Sequence, residues 1–352
     1  PMVIRPAVLA GTWYPAAAAE LVQELDRFLA IENKDTRLAG RPQLAVTPHA
    51  GYAYSGPTAG PLFRQLAGHR VRTVLLLAPN HRLPLDRIAL SGADAFATPL
   101  GRVSLNTEAV SRLGAALPFA VNDAAHAQEH AVEIVLPFLQ RIWPEPHTPA
   151  IVPLLVPHLS REDLALAGRE LAALKQDLGP DTLVLVSSDF THYGGAFGFQ
   201  PFTQDVPAEL EKLDAGAILR LLAGKAEDLL DYGRETGITM CGLPAAAVAL
   251  FSGLPPDFEA DLLAYNRSGD RDHDYSHSVS YASLLFTDGV TAGKAGGQED
   301  SGLPARRTFS RNWPWRRSPR PSGAPLPRTH ARWPPMQAGH YRIVCWKHEE
   351  SS

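Results

Sequence analysis

The chain has 352 residues, of which 45% are hydrophobic and 20% charged, and its formal net charge is −4 at pH 7. This composition is typical of a globular protein that buries a full-sized core. It excludes a chain with membrane spans, because no apolar run approaches the roughly 20 residues that cross a bilayer. A disulfide framework is also excluded, because Cys241 and Cys345 are the two cysteines and lie far apart.

Charge divides the chain into two parts. Residues 291–352 contain 11 Lys and Arg against 4 Asp and Glu, which leaves 22 against 33 for residues 1–290. The acidic part lacks the basic surface that nucleic acid requires, so we predict no nucleic-acid binding for it. We predict a single α/β domain over 1–290 and a disordered Pro/Arg/Trp-rich tail over 291–352. With no apolar stretch typical of a secretion signal, the sequence favours a cytoplasmic protein.

Apolar periodicity predicts alternating helices and strands along the domain. Leu21 and Leu25 recur at helical spacing in the first helix, and Pro137 should kink a later one. Pro153 predicts an edge or interrupted strand, because proline cannot donate to a central ladder. In chain order we predict a helix over 16–30, strands over 44–46 and 74–78, helices over 107–117 and 131–143, a strand over 151–156, a helix over 160–178, a strand over 183–186, helices over 208–222, 227–232 and 245–251, and strands over 261–265 and 279–286.

Three of the predicted strands run directly into a histidine motif. His49, His81 and His192 each follow an uninterrupted aliphatic run. Such runs, spaced by helices, indicate a mostly parallel or mixed central sheet with helices on both faces. Ligands of such sheets lie beyond the carboxyl ends of the strands. We therefore expect the three histidines to share one crevice.

These histidines could form a chemical site together with other side chains. His49, His81 and Cys241 offer two imidazoles and a thiolate, a set that suits iron, copper or zinc. Asp189 and His192 can supply outer hydrogen bonds or a general base. The structural alternatives are a strand-end histidine that bonds a neighbouring loop and, for Asp189, a helix cap.

Cys241 precedes a predicted helix, where the helix dipole would stabilise its thiolate as a ligand or nucleophile. The alternative is a buried cysteine that packs as a small apolar residue. A Cys-His hydrolase therefore remains open beside a metal site. Glu129 and His130 similarly suit either a helix-capping pair or part of the pocket.

Several ordered motifs resemble the Memo family over residues 4–287. They are Arg5-Pro6-Ala7 with Gly11-Thr12-Trp13-Tyr14-Pro15, Pro48-His49-Ala50-Gly51-Tyr52-Ala53-Tyr54-Ser55-Gly56, Pro79-Asn80-His81, Glu129-His130-Ala131-Val132-Glu133, Ser187-Ser188-Asp189-Phe190-Thr191-His192-Tyr193, Cys241-Gly242 and Ser278-Val279-Ser280-Tyr281-Ala282. The resemblance includes the bacterial Memo-like proteins that accompany a radical-SAM protein and an AMMECR-type protein. It implies a fold similar to class III extradiol dioxygenases.

The resemblance also implies a site. It maps His49, His81 and Cys241 onto the metal-binding positions of the family, with Asp189 and His192 in the same cleft as orienting group and acid/base. Extradiol enzymes use a carboxylate as third ligand, whereas a thiolate favours copper or redox-active Fe(II). We therefore expect a metal-dependent redox protein or dioxygenase of unknown substrate. The alternatives are a module that binds a peptide or small molecule in the same cleft without turnover, and the Cys-His hydrolase.

Overall fold

The computed structural model describes residues 2–31 and 40–289, so the predicted tail over 291–352 lies outside the described residues. The strands are β1 (Ile4–Arg5), β2 (Pro42–Thr47), β3 (Thr73–Pro79), β4 (Ile88–Leu90), β5 (Ala95–Thr98), β6 (Gly101–Ser104), β7 (Phe119–Val121), β8 (Ala150–Val156), β9 (Thr182–Ser187), β10 (His192–Gly194), β11 (Glu259–Arg267) and β12 (His277–Thr287). The helices are α1 (Ala18–Leu29), α2 (Tyr52–Leu66), α3 (Thr107–Gly114), α4 (Asp123–Ala127), α5 (His130–Glu133), α6 (Leu136–Ile142), α7 (Arg161–Leu178), α8 (Val206–Leu222), α9 (Ala226–Thr236), α10 (Leu243–Phe251) and α11 (Ser268–Asp272), with a 3-10 turn over Gly195–Phe197.

A nine-stranded mixed sheet organises the described part of the chain. Its strand order is β10-β12-β2-β9-β3-β8-β4-β7, and β11 pairs with β12 outside this path. The four neighbours β2, β9, β3 and β8 are parallel. β12 is antiparallel to each strand beside it, whereas β4 is antiparallel to β8 and parallel to β7. A separate three-stranded sheet joins β1, β5 and β6. The predicted fold class, a mostly parallel or mixed sheet with helices on both faces, is confirmed.

Alternate residues of the central strands enter two separate cores, one on each face of the sheet. In β3, Leu75 and Leu77 pack with the core that lies under α7, α8 and α10, while Val74 and Leu76 pack with the core under α1, α2 and α6. All four are fully buried. Burial on both faces explains why these strands are aliphatic throughout rather than alternating with polar residues.

Two details of the predicted elements are different in the structure. The edge-strand prediction for β8 is wrong, because β8 pairs with β3 along its whole length and with β4 through Leu154 and Leu155. Pro153 lies just outside that short second ladder. The helix predicted over 131–143 is divided into α5 and α6, and Pro137 lies in the first turn of α6, where its missing N–H costs little.

The parallel strands direct their carboxyl ends to one edge of the sheet. β2 ends at Thr47, β3 at Pro79 and β9 at Ser187, so the three histidine motifs follow at the same edge, as predicted. None of the described helices combines the length and the apolar character that a bilayer crossing needs.

Candidate functional site

His49 lies two residues beyond β2 and is buried at 1% exposure. Its Nδ1 lies 3.0 Å from Oγ of Ser187, and that hydroxyl donates its single proton to the carbonyl oxygen of Ala131 at 2.6 Å. Ser187 must therefore accept a hydrogen bond from Nδ1–H of His49. This assignment leaves Nε2 of His49 unprotonated, with its lone pair available to a metal ion.

His81 is oriented in the same manner by a carboxylate. Its backbone N–H donates to Oε2 of Glu129 at 2.8 Å, and its Nδ1 lies 2.9 Å from Oε1 of the same side chain. Nδ1 therefore carries the proton, and Nε2 is the nitrogen that remains free. Carboxylate-histidine pairs of this kind hold the ring and raise its basicity as a ligand.

Glu129 also places a third histidine. It is the N-cap of α5, and its Oε1 accepts hydrogen bonds from the N–H groups of His130 and Ala131. The His130 ring stacks on His81 at 4.5 Å between centroids and meets His49 edge-on at 5.2 Å. Among the described residues, His49, His81 and His130 form the group of potential ligands whose donor atoms all lie within 4.8 Å of one another.

The His130 ring has unused hydrogen-bonding capacity. Its Nδ1 lies 3.2 Å from Oε1 of Glu129, but the angles do not make a hydrogen bond, and this buried nitrogen has no partner in the described part of the chain. A buried nitrogen without a partner is costly unless something binds it. The structure thus adds His130 to the histidines that the sequence placed at this edge.

Cys241 also contacts this cluster. Its Sγ lies 3.2 Å from Nε2 of His49 and 3.5 Å from the carbonyl oxygen of Asp189. Gly242 permits this approach, because a Cβ there would meet the Ser188 side chain at 2.4 Å, and its N–H donates to Ser188 Oγ. The thiol immediately precedes α10, as predicted.

Asp189 and His192 lie on the loop after β9. The Asp189 carboxylate accepts the backbone N–H of His49 at 2.8 Å, and its second oxygen lies 3.9 Å from Nε2 of His49. Nδ1 of His192 lies 3.0 and 3.1 Å from the carbonyl oxygens of Phe190 and Thr239, which requires a proton on Nδ1. Asp189 therefore braces the His49 loop, and its attraction to His192 is electrostatic.

Burial, hydrogen bonds and neighbouring charges shift the pKa values of the clustered side chains. Burial lowers the pKa of His49 and His130 well below the usual range, so both rings are neutral at pH 7, the form that binds metals. Burial would raise the pKa of Glu129, but the hydrogen bond and charge of His81 outweigh it and keep the carboxylate ionised. Burial, reinforced by the charge of Asp189, raises the pKa of the Cys241 thiol.

The N-terminal segment forms one wall of the site. Arg5 pairs with Glu133 and donates to the carbonyl oxygen of Glu129 at 2.8 Å. Glu133 also accepts the hydroxyl of Tyr14 at 2.6 Å, while the Trp13 ring packs against His130 at 4.6 Å. The Arg5 and Gly11-to-Pro15 motifs therefore brace the turn that carries Glu129 and His130.

A transition-metal ion fits these donors. Nε2 of His49 is unprotonated, Nε2 of His81 is the ring nitrogen that Glu129 does not use, His130 offers a buried nitrogen without a hydrogen-bond partner among the described residues, and Cys241 offers sulfur in contact with His49. Imidazole with thiolate suits copper, iron and zinc, and three imidazoles suit the same ions. His49 and His81 belong to both possible ligand sets.

The sequence identified most of this cluster, but the role of His130 was left open. The capping interpretation of Glu129 is confirmed, and the same carboxylate also serves the pocket, so the two alternatives for Glu129 and His130 do not exclude each other. A glutamate that caps a helix beginning with histidine was the available signal. By contrast, His158 follows the parallel strand β8 and is exposed.

Comparisons with known proteins agree along the domain. The model of the Memo-like protein family matches residues 5–285. A MEMO1 family protein of Thermococcus kodakarensis is 33% identical over 296 residues, covering 81% of this chain and 99% of the relative. One from Pyrococcus furiosus is 32% identical over 294 residues, covering 81% and 99%. One from Aquifex aeolicus is 32% identical over 289 residues, covering 81% and 100%. The family match contains every residue of the site.

Proposed function

The chain belongs to the Memo-like protein family, and from that premise we propose that it is a metal-dependent redox protein or dioxygenase that binds Fe(II) or copper. The observation that carries the proposal is the pair of free imidazole nitrogens on His49 and His81. Ser187 and Glu129 direct both of them into the same buried cluster. Two oriented imidazoles with a third soft or borderline donor make a transition-metal site.

For the third ligand we propose Cys241, with His130 as the competing donor. The Sγ to Nε2 distance of 3.2 Å to His49 matches the separation of two ligands on one ion, since metal–N and metal–S bonds are about 2.0 and about 2.3 Å. His130 competes as third ligand because its ring nitrogen lies within 4.8 Å of the donor atoms of both His49 and His81. Metal binding to Cys241 would displace the thiol proton that burial otherwise retains.

The residues around such a metal would have different roles. The metal would supply redox or oxygen chemistry, and a coordination position not taken by the three protein ligands would admit a substrate. Ser187 and Glu129 hold the ligand rings. His192, with Nδ1 protonated and Nε2 free, is the candidate acid/base. Burial lowers its pKa, and the negative charge of Asp189 opposes that shift.

Metal content tests this proposal. The protein is purified without added metal and then loaded anaerobically with Fe(II) or copper, for wild type, His49→Ala, His81→Ala, Cys241→Ser and His130→Ala. His158→Ala is the matched control, because His158 also follows a parallel strand but is exposed. We expect one metal per chain in wild type and control, and loss in His49→Ala and His81→Ala.

The two remaining variants identify the third ligand. Loss in Cys241→Ser with retention in His130→Ala assigns the sulfur, and the reverse assigns the imidazole. A wild type that takes up neither ion would contradict the proposal. If that metal-free protein still bound ligands in the cleft, the function would be that of a binding module without turnover.

A Cys-His hydrolase is the second candidate, because Cys241 and His49 lie 3.2 Å apart with a free lone pair on Nε2. The raised pKa of the thiol opposes it, since a hydrolase needs the thiolate. Iodoacetamide labelling at pH 7 in a Cys345→Ser background distinguishes the candidates. Rapid labelling of Cys241, with esterase activity that survives chelation, would favour the hydrolase; slow labelling favours the metal site.

A further inference from the structure

A cavity lies at the edge of the central sheet where its parallel strands begin, opposite the edge that carries the histidine cluster. It has a volume of about 860 Å³, and its lining includes His69, Arg70, Arg72, Trp143, Pro144 and His147. β3 begins at Thr73, next to this cavity, and ends at Pro79, next to the histidine cluster. A seven-residue strand spans roughly 20 Å, so the two places are separate.

The cavity carries positive charge. Arg70 and Arg72 line it, and both direct Nε to the same Oδ2 of Asp181, at 3.0 and 3.3 Å. One carboxylate thus holds two guanidinium groups beside each other and neutralises one of their two charges. Their terminal Nη groups have no hydrogen-bond partner in the described part of the chain. His69 and His147 add two imidazoles, and none of the described lining residues is acidic.

The opposite side of the cavity is apolar and fixed in place. Trp143 is buried, and its indole N–H donates to the carbonyl oxygen of His69 at 2.8 Å. Thr148 donates its hydroxyl to the carbonyl oxygen of Trp143 at 2.8 Å, and the N–H of His147 donates to Pro144 at 2.8 Å. The first bond joins the loop before β3 to the loop before β8, and the other two lie within the loop before β8. Proline and tryptophan side chains lose little entropy when a ligand packs on them, so this wall is already organised for binding.

From these features we propose that the cavity binds a small phosphate-bearing molecule with a flat apolar group. Two adjacent guanidinium forks match the oxygens of a phosphate dianion, which gains more from paired positive charge than a carboxylate does. The apolar group packs against the tryptophan and proline wall. The cavity volume lies within the range of about 300 to about 1,000 Å³ that is usual for small-molecule sites.

Calorimetric titration of the full chain with phenyl phosphate tests the proposal in a low-salt buffer without phosphate. Arg70→Gln and Arg72→Gln are compared with Arg112→Gln. Arg112 is an exposed arginine on α3 that pairs with Asp177 of α7. We expect each cavity variant to weaken binding about tenfold, the effect of losing one charged hydrogen bond, and Arg112→Gln to bind as wild type does. Inorganic phosphate and benzoate should both bind more weakly than phenyl phosphate.

The proposal is overturned if phenyl phosphate does not bind at millimolar concentration. It is equally overturned if Arg70→Gln and Arg72→Gln bind as tightly as wild type, because the phosphate would then occupy another basic part of the chain. If inorganic phosphate bound as tightly as phenyl phosphate, the tryptophan and proline wall would not contribute to binding, and the proposed apolar group would be wrong. If benzoate bound as tightly as phenyl phosphate, the cavity would not prefer a phosphate over a carboxylate.

Discussion

Ser187 fixes the tautomer of His49 through a contact of 3.0 Å between its Oγ and Nδ1 of the ring. The serine is the last residue of β9, and the histidine follows β2, the strand paired beside it. The contact therefore depends on the register of two parallel strands. Through it, the sheet determines which nitrogen of His49 faces the candidate metal site.

We predict that Ser187→Ala weakens Fe(II) or copper binding by about 10- to 100-fold, the usual effect of removing an outer hydrogen bond from a ligand histidine. The cause is that Nδ1 of His49 loses its acceptor, so the ring no longer favours the tautomer with a free Nε2. Metal affinity is measured by competition with a chelator of known affinity.

Ser283→Ala is the matched control for that measurement. Ser283 is also a fully buried strand serine, and its Oγ donates to a backbone carbonyl, that of Thr58, at 2.7 Å. It does not touch a histidine of the site. Equal affinities in the two variants would show that the tautomer of His49 does not govern binding.

Glu129→Gln tests the carboxylate that orients His81. An amide offers one oxygen in place of two, so it cannot accept the N–H and the Nδ1–H of His81 while also capping α5. We expect a loss of metal affinity of about 10- to 100-fold. Asp123→Asn makes the same chemical change in a carboxylate that caps a loop N–H of Gly92, and it should leave affinity unchanged. A similar loss in both variants would point to a general structural effect.

Much of this arrangement could be predicted from local sequence. Aliphatic runs such as residues 74–78 predict strands buried on both faces, and parallel strands bring their following residues to one edge. That reasoning predicted His49, His81 and His192 at a common edge. It could not give the contacts among them, because Ser187 meets His49 across 138 positions of the chain.

The misplaced elements have a similar cause. Pro153 suggested an edge strand, yet a proline is tolerated inside a sheet where the neighbouring ladder is short, as it is beside β4. Glu129 satisfied a local capping rule, and its second use as a partner of His81 depends on a contact 48 positions away. Local rules predict the elements, whereas shared use of one side chain appears only when the strands are assembled.

The buried Arg5–Glu133 pair predicts a large loss of stability on charge removal. Their side chains are 5% and 0% exposed, and Glu133→Gln would leave the guanidinium buried without a counter-charge. We expect the free energy of unfolding in urea to fall by roughly 3–5 kcal/mol. Asp177→Asn, which breaks the exposed pair with Arg112, should cost about 1 kcal/mol or less. Equal losses would show that Arg5 finds another partner or solvent.

Asp214 predicts a stability that falls as pH rises. This aspartate is fully buried, and burial raises its pKa even though hydrogen bonds from Thr191 and Tyr265 oppose the shift. Between the pKa of the unfolded chain, about 3.9, and the raised folded value, the folded state binds more protons than the unfolded state. The free energy of unfolding must therefore decrease as pH increases through that window.

Replacement by asparagine isolates this effect. Asp214→Asn retains an oxygen for Thr191 and cannot ionise, so the stability of wild type relative to this variant should decrease as pH rises above about 4, the pKa of the unfolded chain. Urea denaturation of both proteins across that range provides the measurement.

The comparator is Asp231→Asn, because the hydrogen bond from Arg161 lowers the pKa of Asp231 at the surface. Its contribution is complete above the unfolded pKa and is lost only as pH falls, so its difference from wild type should be constant above about pH 5. A constant or rising difference for Asp214→Asn would mean that burial does not keep this carboxyl protonated above pH 4.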